Sequence, residues 1–215
     1  MKILIPTREE LEQWLTKRHY AKRIPSIVYS WGCYIDNRLV GVCTFGIPAS
    51  NTLCMGLCGQ DYQNNVLELN RLCLDDSLKT KNLASSFVSA CIRRIDNLNR
   101  ADKKYRIIVS YADDGQGHKG YIYQALNFLY TGKTKERTDI DTGENKHSRH
   151  YEKTDEARAK RKLRTSKHRY VLFLGTKADK KILKSKLKYK VLPYPKGENK
   201  NYDTSIKLDS QMVLL

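Results

Sequence analysis

Apolar and polar positions along the chain alternate in two rhythms. In TREELEQWLTKRHYAKR (7–23), Leu11, Trp14 and Leu15 recur at helical spacing. Thr7 with Glu10 three residues on is a capping-box signature, so a helix is predicted there. IVYSWGCYID (27–36) and RLVGVCTFG (38–46) are β-rich and flank Asp36-Asn37, which predicts a hairpin. VLELNRLCL (66–74), RIIVSYA (106–112) and RYVLFL (169–174) read as further strands. LASSFVSACIRRIDNL (83–98) gathers Leu83, Phe87, Ala90, Cys91 and Ile95 on one helical face. GYIYQALNFL (120–129) is predicted helical, and ADKKILKSKL (178–187) is predicted as a small basic helix. Residues 133–168 lack apolar periodicity and are predicted to be a long polar insertion, partly ordered at best without a partner. Two hairpin strands, then strand–helix–strand–helix–strand, describe an α/β (α+β) fold with helices on both faces of a mixed sheet.

Length and composition narrow the picture. The 215 residues predict a single domain over 1–215, carrying the insertion at about 133–168 and a basic C-terminal tail. No apolar run reaches the length of about 18 residues that a membrane span needs, and MKILIPTREELEQW turns acidic too soon for a signal peptide. A cytoplasmic protein is expected. The six cysteines (Cys33, Cys43, Cys54, Cys58, Cys73, Cys91) lie mostly inside apolar runs, which suits reduced core thiols. Cys54 and Cys58 form a C-x3-C pair without a second pair to complete a zinc site.

Charge changes the picture most. The net charge is +17, from 40 Lys and Arg against 23 Asp and Glu. Residues 133–190 alone hold 20 basic and 8 acidic residues, a net +12. A polyanion, most simply nucleic acid, is the expected partner; the alternative is a solvated, soluble surface. Arg158, Lys160, Arg161, Lys162, Arg164, Lys167 and Arg169 pack seven cations into twelve residues with no acid between them, and are the expected phosphate contacts.

Chemistry-bearing side chains crowd the stretch IIVSYADDGQGHKGYIYQ, where a strand hands over to a helix. Ligands bind in the crevice outside strand carboxyl ends, so Ser110, Tyr111, Asp113 and Tyr123 are candidates to frame a ligand there. Asp113 can accept a proton or simply cap the following turn, and Tyr123 can donate one or simply pack. His118 can line the same opening or sit idle in a loop. Arg71 suits a phosphate or a carbonyl, or an ion pair with Glu68 or Asp75. Ser85 and Ser86 open the 83–98 helix, where amides and hydroxyls hold anions, or where Ser85 is only a cap.

The run from VLELNRLCL through LKTKNLASSFVSACI and IIVSYAD to GYIYQALNFLYTG resembles the GNAT acyltransferase fold, whose sheet is mostly antiparallel and splayed. Tyr123 matches the tyrosine that this family carries on a late helix, and Asn127-Phe128 stands where Gly-Phe is found. In the phosphate loop, Lys79-Thr-Lys-Asn82-Leu-Ala84 carries Asn82 where the family has its central glycine. That departure puts ordinary CoA binding in question.

A narrower resemblance rests on RHYAKRIPS, ELNRL, SYAD, GHKGYIYQALNFLYTG and KHRY taken in order. Together they resemble the phage Mom family, a GNAT-like group that converts adenine in DNA to N6-(carbamoylmethyl)adenine and shields phage DNA from restriction nucleases. The resemblance implies a transferase with catalytic residues His19, Tyr20, Asp113 and Tyr123. It further implies a base cleft at Ser110, Tyr111 and His118, and donor contacts from Arg71, Ser85 and Ser86. Iron is associated with the family, and His19 and Tyr20 are its candidate ligands, although they make a thin set. The donor is open between an acyl-CoA and glycyl-tRNA, which would make tRNA a second partner; monomer and homodimer are equally open. An acetyl-CoA-dependent N-acetyltransferase acting on a protein or small amine, and a non-catalytic DNA-binding protein, are the competing readings.

Overall fold

Thr7 opens the first helix as predicted. Its hydroxyl accepts from the Glu10 amide at 3.2 Å, and the Glu10 carboxylate accepts from the Thr7 amide at 2.8 Å. The computed structural model describes residues 1–78, 80–140 and 161–197. Helix α1 (Arg8–Gln13) does not run on to Arg23 but widens into a π-helical turn over Trp14–Arg18. The Thr16 hydroxyl bonds back to the Glu12 carbonyl at 2.8 Å, and His19 leaves in extended conformation. Single π turns of this kind are frequent at functional sites.

Strands β1 (Lys2–Leu4), β2 (Tyr29–Ile35), β3 (Arg38–Gly46), β4 (Val66–Leu74), β5 (Ile107–Asp113), β6 (Leu129–Lys133) and β9 (Lys167–Phe173) form one sheet in the order β1-β2-β3-β4-β5-β9-β6. The predicted hairpin is present: Asp36 and Asn37 sit at φ 49° and 60°, the left-handed pair that a tight two-residue turn requires. All neighbours are antiparallel except β4 and β5. These two pair only from Val66/Ile107 to Leu69/Ser110, and then part. β4 goes on with β3 to Leu74, and β5 goes on with β9 to Asp113. The sheet is therefore split at its centre.

Alternation along the strands builds a core on each face. Helices α3 (Leu83–Leu98) and α4 (Tyr121–Ala125) cover one face, burying Phe87, Cys91 and Ile95 against Phe45, Leu67, Ile108 and Tyr170. Helices α2 (Asn51–Cys58) and α5 (Lys177–Lys186) cover the other, where Leu57 and Leu183 meet Ile107, Val109 and Val171. Trp14 and Leu15 of the π turn lie over Val42. Each fully buried Phe or Leu contributes about 1.5–3 kcal/mol. Five cysteines are buried, Cys73 is half-buried, and none is paired. No helix among the described residues is long and apolar enough to cross a membrane.

One predicted boundary is corrected. GYIYQALNFL is helical only over Tyr121–Ala125; Asn127 then turns at φ 58° and Leu129 begins β6. Within the predicted insertion at 133–168, β7 (Arg137–Ile140) and β8 (Arg161–Arg164) pair as a separate two-stranded ladder. β-branched and polar residues alternate too weakly there for the pattern to be read. The short α2, with Ser50 as its cap, carries no strong periodic signal and is likewise an element the pattern does not predict.

Candidate active site

Where β4 and β5 part, a cleft of about 580 Å³ opens. It is lined from β4 by Leu69, Asn70, Arg71 and Leu72, from β5 by Tyr111 and Ala112, and from the π turn by His19 and Tyr20. The loop and helix after β5 complete it with His118, Lys119, Tyr121 and Tyr123. Six of the residues singled out by the sequence therefore share one cavity: His19, Tyr20, Arg71, Tyr111, His118 and Tyr123.

Arg71 owes its place to a bulge. Thr44 pairs with Arg71 and Phe45 with Leu69, so Asn70 is an extra residue that shifts the alternation by one. Bulges next to active sites re-aim side chains in this way. Asn70 is held by its amide, which accepts from the Thr44 hydroxyl at 2.6 Å and donates to the Ser26 carbonyl at 2.8 Å. Arg71 donates from Nη1 to the Asn70 carbonyl at 2.6 Å, while its buried Nε–H has no acceptor. It pairs with neither expected carboxylate. Asp75 is held by Arg38 at 2.5 Å with Arg18 at 3.9 Å, and Glu68 makes no ion pair with it. Burial favours the neutral forms of both Arg71 and Glu68, lowering the one pKa and raising the other.

His19 is 6% exposed and stacks on Tyr20 with ring centroids 4.4 Å apart; Tyr20 meets His118 edge-on at 6.1 Å. The His19 Nδ1 accepts the Ala21 amide at 3.0 Å, so the neutral ring carries its proton on Nε2. Burial, reinforced by the Arg71 charge, pulls its pKa down to about 4. His19 is thus a neutral hydrogen-bond donor at neutral pH. Burial also holds the Tyr123 and Tyr111 phenols protonated by raising their pKa values. Tyr123 packs on Phe128 and Tyr170, and Ser110 beside it opposes the shift. The Ser110 hydroxyl itself is buried and donates to the Leu69 carbonyl at 2.9 Å, fastening the last paired rung.

Asp113 lies outside the cleft wall. Its carboxylate accepts from Lys167 at 2.7 Å, the Thr165 hydroxyl at 2.7 Å and the Gly115 amide at 3.1 Å, capping the turn Asp114–Gln116. Those hydrogen bonds outweigh burial and lower its pKa. The iron expectation also meets a mismatch. His19 has Nδ1 engaged and a proton on Nε2, so neither nitrogen offers a lone pair. Among the described residues no group of three His, Cys, Asp or Glu is placed to hold a metal. These residues do not fit a resident iron.

The basic segment divides. Arg158 and Lys160 lie outside the described residues, as does Lys79 of the phosphate loop. Arg161 and Lys162 are placed as backbone, opposite Ile140 and Asp139 in the ladder, and Arg164 opposite Arg137. Lys167 is spent on Asp113. Arg169 donates to the Thr131 hydroxyl and carbonyl at 2.9 and 3.0 Å and lies 3.4 Å over the Tyr189 ring, so it is built into the fold.

Helix α3 starts on the far face of the opening, with no side chain capping it. Ser85 turns its hydroxyl back to the Asn82 carbonyl at 3.1 Å, and the Ser86 amide donates to that same carbonyl at 2.9 Å. Asn82 adopts φ 61°, the left-handed conformation a glycine would take.

Sequence reasoning missed the network that holds the cleft loop. Asp114 accepts from Lys119 at 2.7 Å and Lys133 at 2.6 Å, and from the buried His168 at 3.2 Å; the Tyr130 hydroxyl meets the other His168 nitrogen at 2.9 Å. Tyr170 donates to the Lys119 carbonyl, and its ring lies 2.5 Å from where a Cβ on Gly120 would sit, at φ 74°. The signal is present in the KHRY run but has no local meaning.

A mixed sheet splayed between its one parallel pair, with a cleft at the opening and a helix start behind it, defines a GNAT-like fold. The chain belongs to the Mom protein family, whose family model matches residues 3–196. It is 27% identical over 205 residues to the methylcarbamoylase Mom of Escherichia phage Mu, covering 87% of this chain and 83% of that protein. Among solved structures it is similar to an N-acetyltransferase from Staphylococcus aureus Mu50 (16% identity, TM-score 0.49, 81% of this chain and 98% of the other). It is also similar to a GNAT family acetyltransferase from Elizabethkingia anophelis with acetyl-CoA bound (13% identity, TM-score 0.41, 79% and 84%).

Proposed function

We propose that the protein modifies adenine in double-stranded DNA at N6, producing N6-(carbamoylmethyl)adenine. The phage Mu relative is named a methylcarbamoylase, and family membership supports carrying a transfer of that kind to this chain. The observation that carries the chemistry is Arg71, which lines the cleft without a carboxylate partner and has a buried Nε–H with no acceptor. A buried charged donor without an acceptor is destabilising unless a ligand oxygen satisfies it.

Adenine N6 is a weak nucleophile, so attack on a donor carbonyl needs its oxyanion stabilised. The Arg71 guanidinium and His19 Nε2–H supply two donors. Tyr123, kept protonated by burial, gives its proton to the leaving group, and the N6 proton departs toward solvent past the half-exposed Tyr20. Asp113 positions the cleft loop rather than serving as base. If the group transferred is glycyl, the new amine attacks C6 and displaces the amide nitrogen; that rearrangement yields the carbamoylmethyl isomer without adding or losing atoms. The left-handed Asn82 and uncapped α3 support an anionic carrier of the acyl-CoA type on the opposite face.

The test is nucleoside mass spectrometry of plasmid DNA from bacteria expressing the protein, fed glycine labelled at nitrogen and both carbons. Altered deoxyadenosine carrying all three labels is expected. Unaltered DNA with a folded protein would overturn the reading, and acetylation of a protein amine instead would favour an ordinary N-acetyltransferase.

A further inference from the structure

Helix α5 carries a stripe of charge that the cleft does not use. Lys177, Lys180, Lys181 and Lys184 follow the i, i+3, i+4, i+7 spacing of one helical face, and all are exposed. The opposite side is anchored by the fully buried Leu183. The helix's one acid, Asp179, is turned away: it caps the helix through Thr176 and takes Arg106 at 2.7 Å and Lys103 at 3.6 Å. Among the described residues none of the four lysines pairs with a carboxylate. Like charges three and four residues apart repel one another along a helix. Such a stripe costs stability until an anion neutralises it.

The stripe also leads somewhere. After α5 the chain runs as an extended strap over residues 187–197, with Lys188, Lys190 and Lys196 exposed along it. The Lys188 amide donates to the Leu57 carbonyl at 2.8 Å, and Tyr189 lies under Arg169. The Leu192 amide adds to edge strand β6 at the Tyr130 carbonyl, 2.9 Å away. Tyr194 donates to the Phe128 carbonyl at 2.8 Å, and Gln124 reaches the Pro195 carbonyl at 3.3 Å. At Gly197, the last described residue, the carbonyl accepts from the Tyr121 hydroxyl, and Tyr121 lines the cleft. Helix α5 lies on the sheet face covered by α1, the π turn and α2, away from α3. The strap thus passes from the face of α5, around edge strand β6, to α4 at the rim of the cleft.

We infer that the lysine face of α5, continued by the lysines of the strap, is a track for the sugar–phosphate backbone of duplex DNA that delivers a base to the cleft. This inference rests on the DNA reading above. The track is distinct from the 158–169 segment, two of whose described cations are spent inside the fold. Lysine is suited to the task, because a backbone contact needs a point charge and no base information.

The experiment compares wild type with a Lys177→Gln, Lys180→Gln, Lys181→Gln, Lys184→Gln variant in binding a 30-bp duplex over a salt series, with melting temperature confirming the fold. A control changes four exposed cations elsewhere: Lys2→Gln, Lys17→Gln, Arg100→Gln and Lys104→Gln. Each phosphate neutralised contributes about 0.9 to the slope of log K against log salt, so the α5 variant is expected to lose about 3–4 units of slope and the control less than about 1. Equal slopes for the α5 variant and wild type would overturn the track, as would equal losses in both variants, which would mean net charge alone. Preferential competition by tRNA over duplex of equal length would also overturn it, assigning the face to RNA. Nucleoside mass spectrometry on DNA from the same strains keeps the readings separate. Altered adenine in wild-type DNA with unchanged slopes removes only the track, whereas unaltered DNA with a flattened slope removes only the adenine chemistry.

Discussion

Arg71→Met is the sharpest perturbation of the cleft, because a structural and a functional role for this arginine predict opposite pairs of results. The methionine keeps the apolar stem and removes the guanidinium. Removing the buried Nε–H relieves an unsatisfied donor worth about 1–3 kcal/mol. Against that, the bond from Nη1 to the Asn70 carbonyl is lost, a charged hydrogen bond of about 1.5–3 kcal/mol. The two nearly cancel, and no ion pair is broken because Asp75 belongs to Arg38, while Glu68 loses the Arg71 charge and is further biased to its neutral form. The net change is expected within about 1 kcal/mol, or about 2–4 °C in melting temperature for a chain of this size. Loss of one oxyanion donor costs about 10²–10³-fold in turnover. Arg71→Lys should recover little, since a lysine cannot present an Nε–H from the same position. Thermal melting and the rate at which modified deoxyadenosine accumulates are the two assays. A large fall in melting temperature with a proportionate loss of activity would refute the reasoning, and so would near-wild-type activity of the stable variant.

Three further outcomes are expected. His19 has its pKa depressed from about 6.5 to about 4, so its contribution to stability is complete above pH 6.5 and is lost as pH falls through 4. Wild type should therefore lose up to about 3 kcal/mol more than His19→Gln on going from pH 7 to pH 4, measured by urea unfolding; parallel curves would show that the ring is not held neutral. Asp113→Ala breaks a cap and the partly buried pair with Lys167, and should cost about 2 kcal/mol with activity lost only in proportion to unfolding; abolished activity at unchanged melting temperature would make Asp113 a catalytic base after all. Tyr123→Phe keeps its packing on Phe128 and Tyr170, so melting should hold while turnover falls about 10²-fold or more; unchanged turnover would remove Tyr123 from proton transfer.

Much of this architecture is legible in the chain, and the failures have physical causes. The capping box, the Asp36-Asn37 hairpin and the α3 face are local signals, and each is present. The cleft's membership is legible as well, because strand ends and the loops after them are contiguous in sequence. The Asn70 bulge is not, since one extra residue in a β run leaves the composition unchanged yet moves Arg71 to the other face. Asp113 reads as a base or as a cap from the sequence, because a carboxylate at a strand end suits both roles. Only Lys167 and Thr165, brought in from more than fifty residues away, decide its placement. The pattern overstates the extent of α4 because its apolar spacing continues past Asn127, where the backbone turns left-handed.

Asn127 and Asn82 together bear on the departure of the phosphate loop from the acyltransferase pattern. Both stand where the acyltransferase pattern has glycine, and both adopt positive φ, 58° and 61°. Asparagine is among the few residues with a side chain that enter this region readily, because its amide can bond locally. The replacement therefore preserves the backbone path at the phosphate loop and at the turn into Phe128, while adding a side chain at each. What changes at the loop is the room left for a carrier, not the direction of the amides. A side chain at residue 82 is expected to crowd a carrier that lies flat against the loop backbone more than one that approaches α3 end-on. An Asn82→Gly variant accordingly should leave the fold intact and widen carrier choice. Tighter binding of free CoA by that variant, read by calorimetry, would place the restriction at this residue; unchanged affinity would place it elsewhere in the cleft.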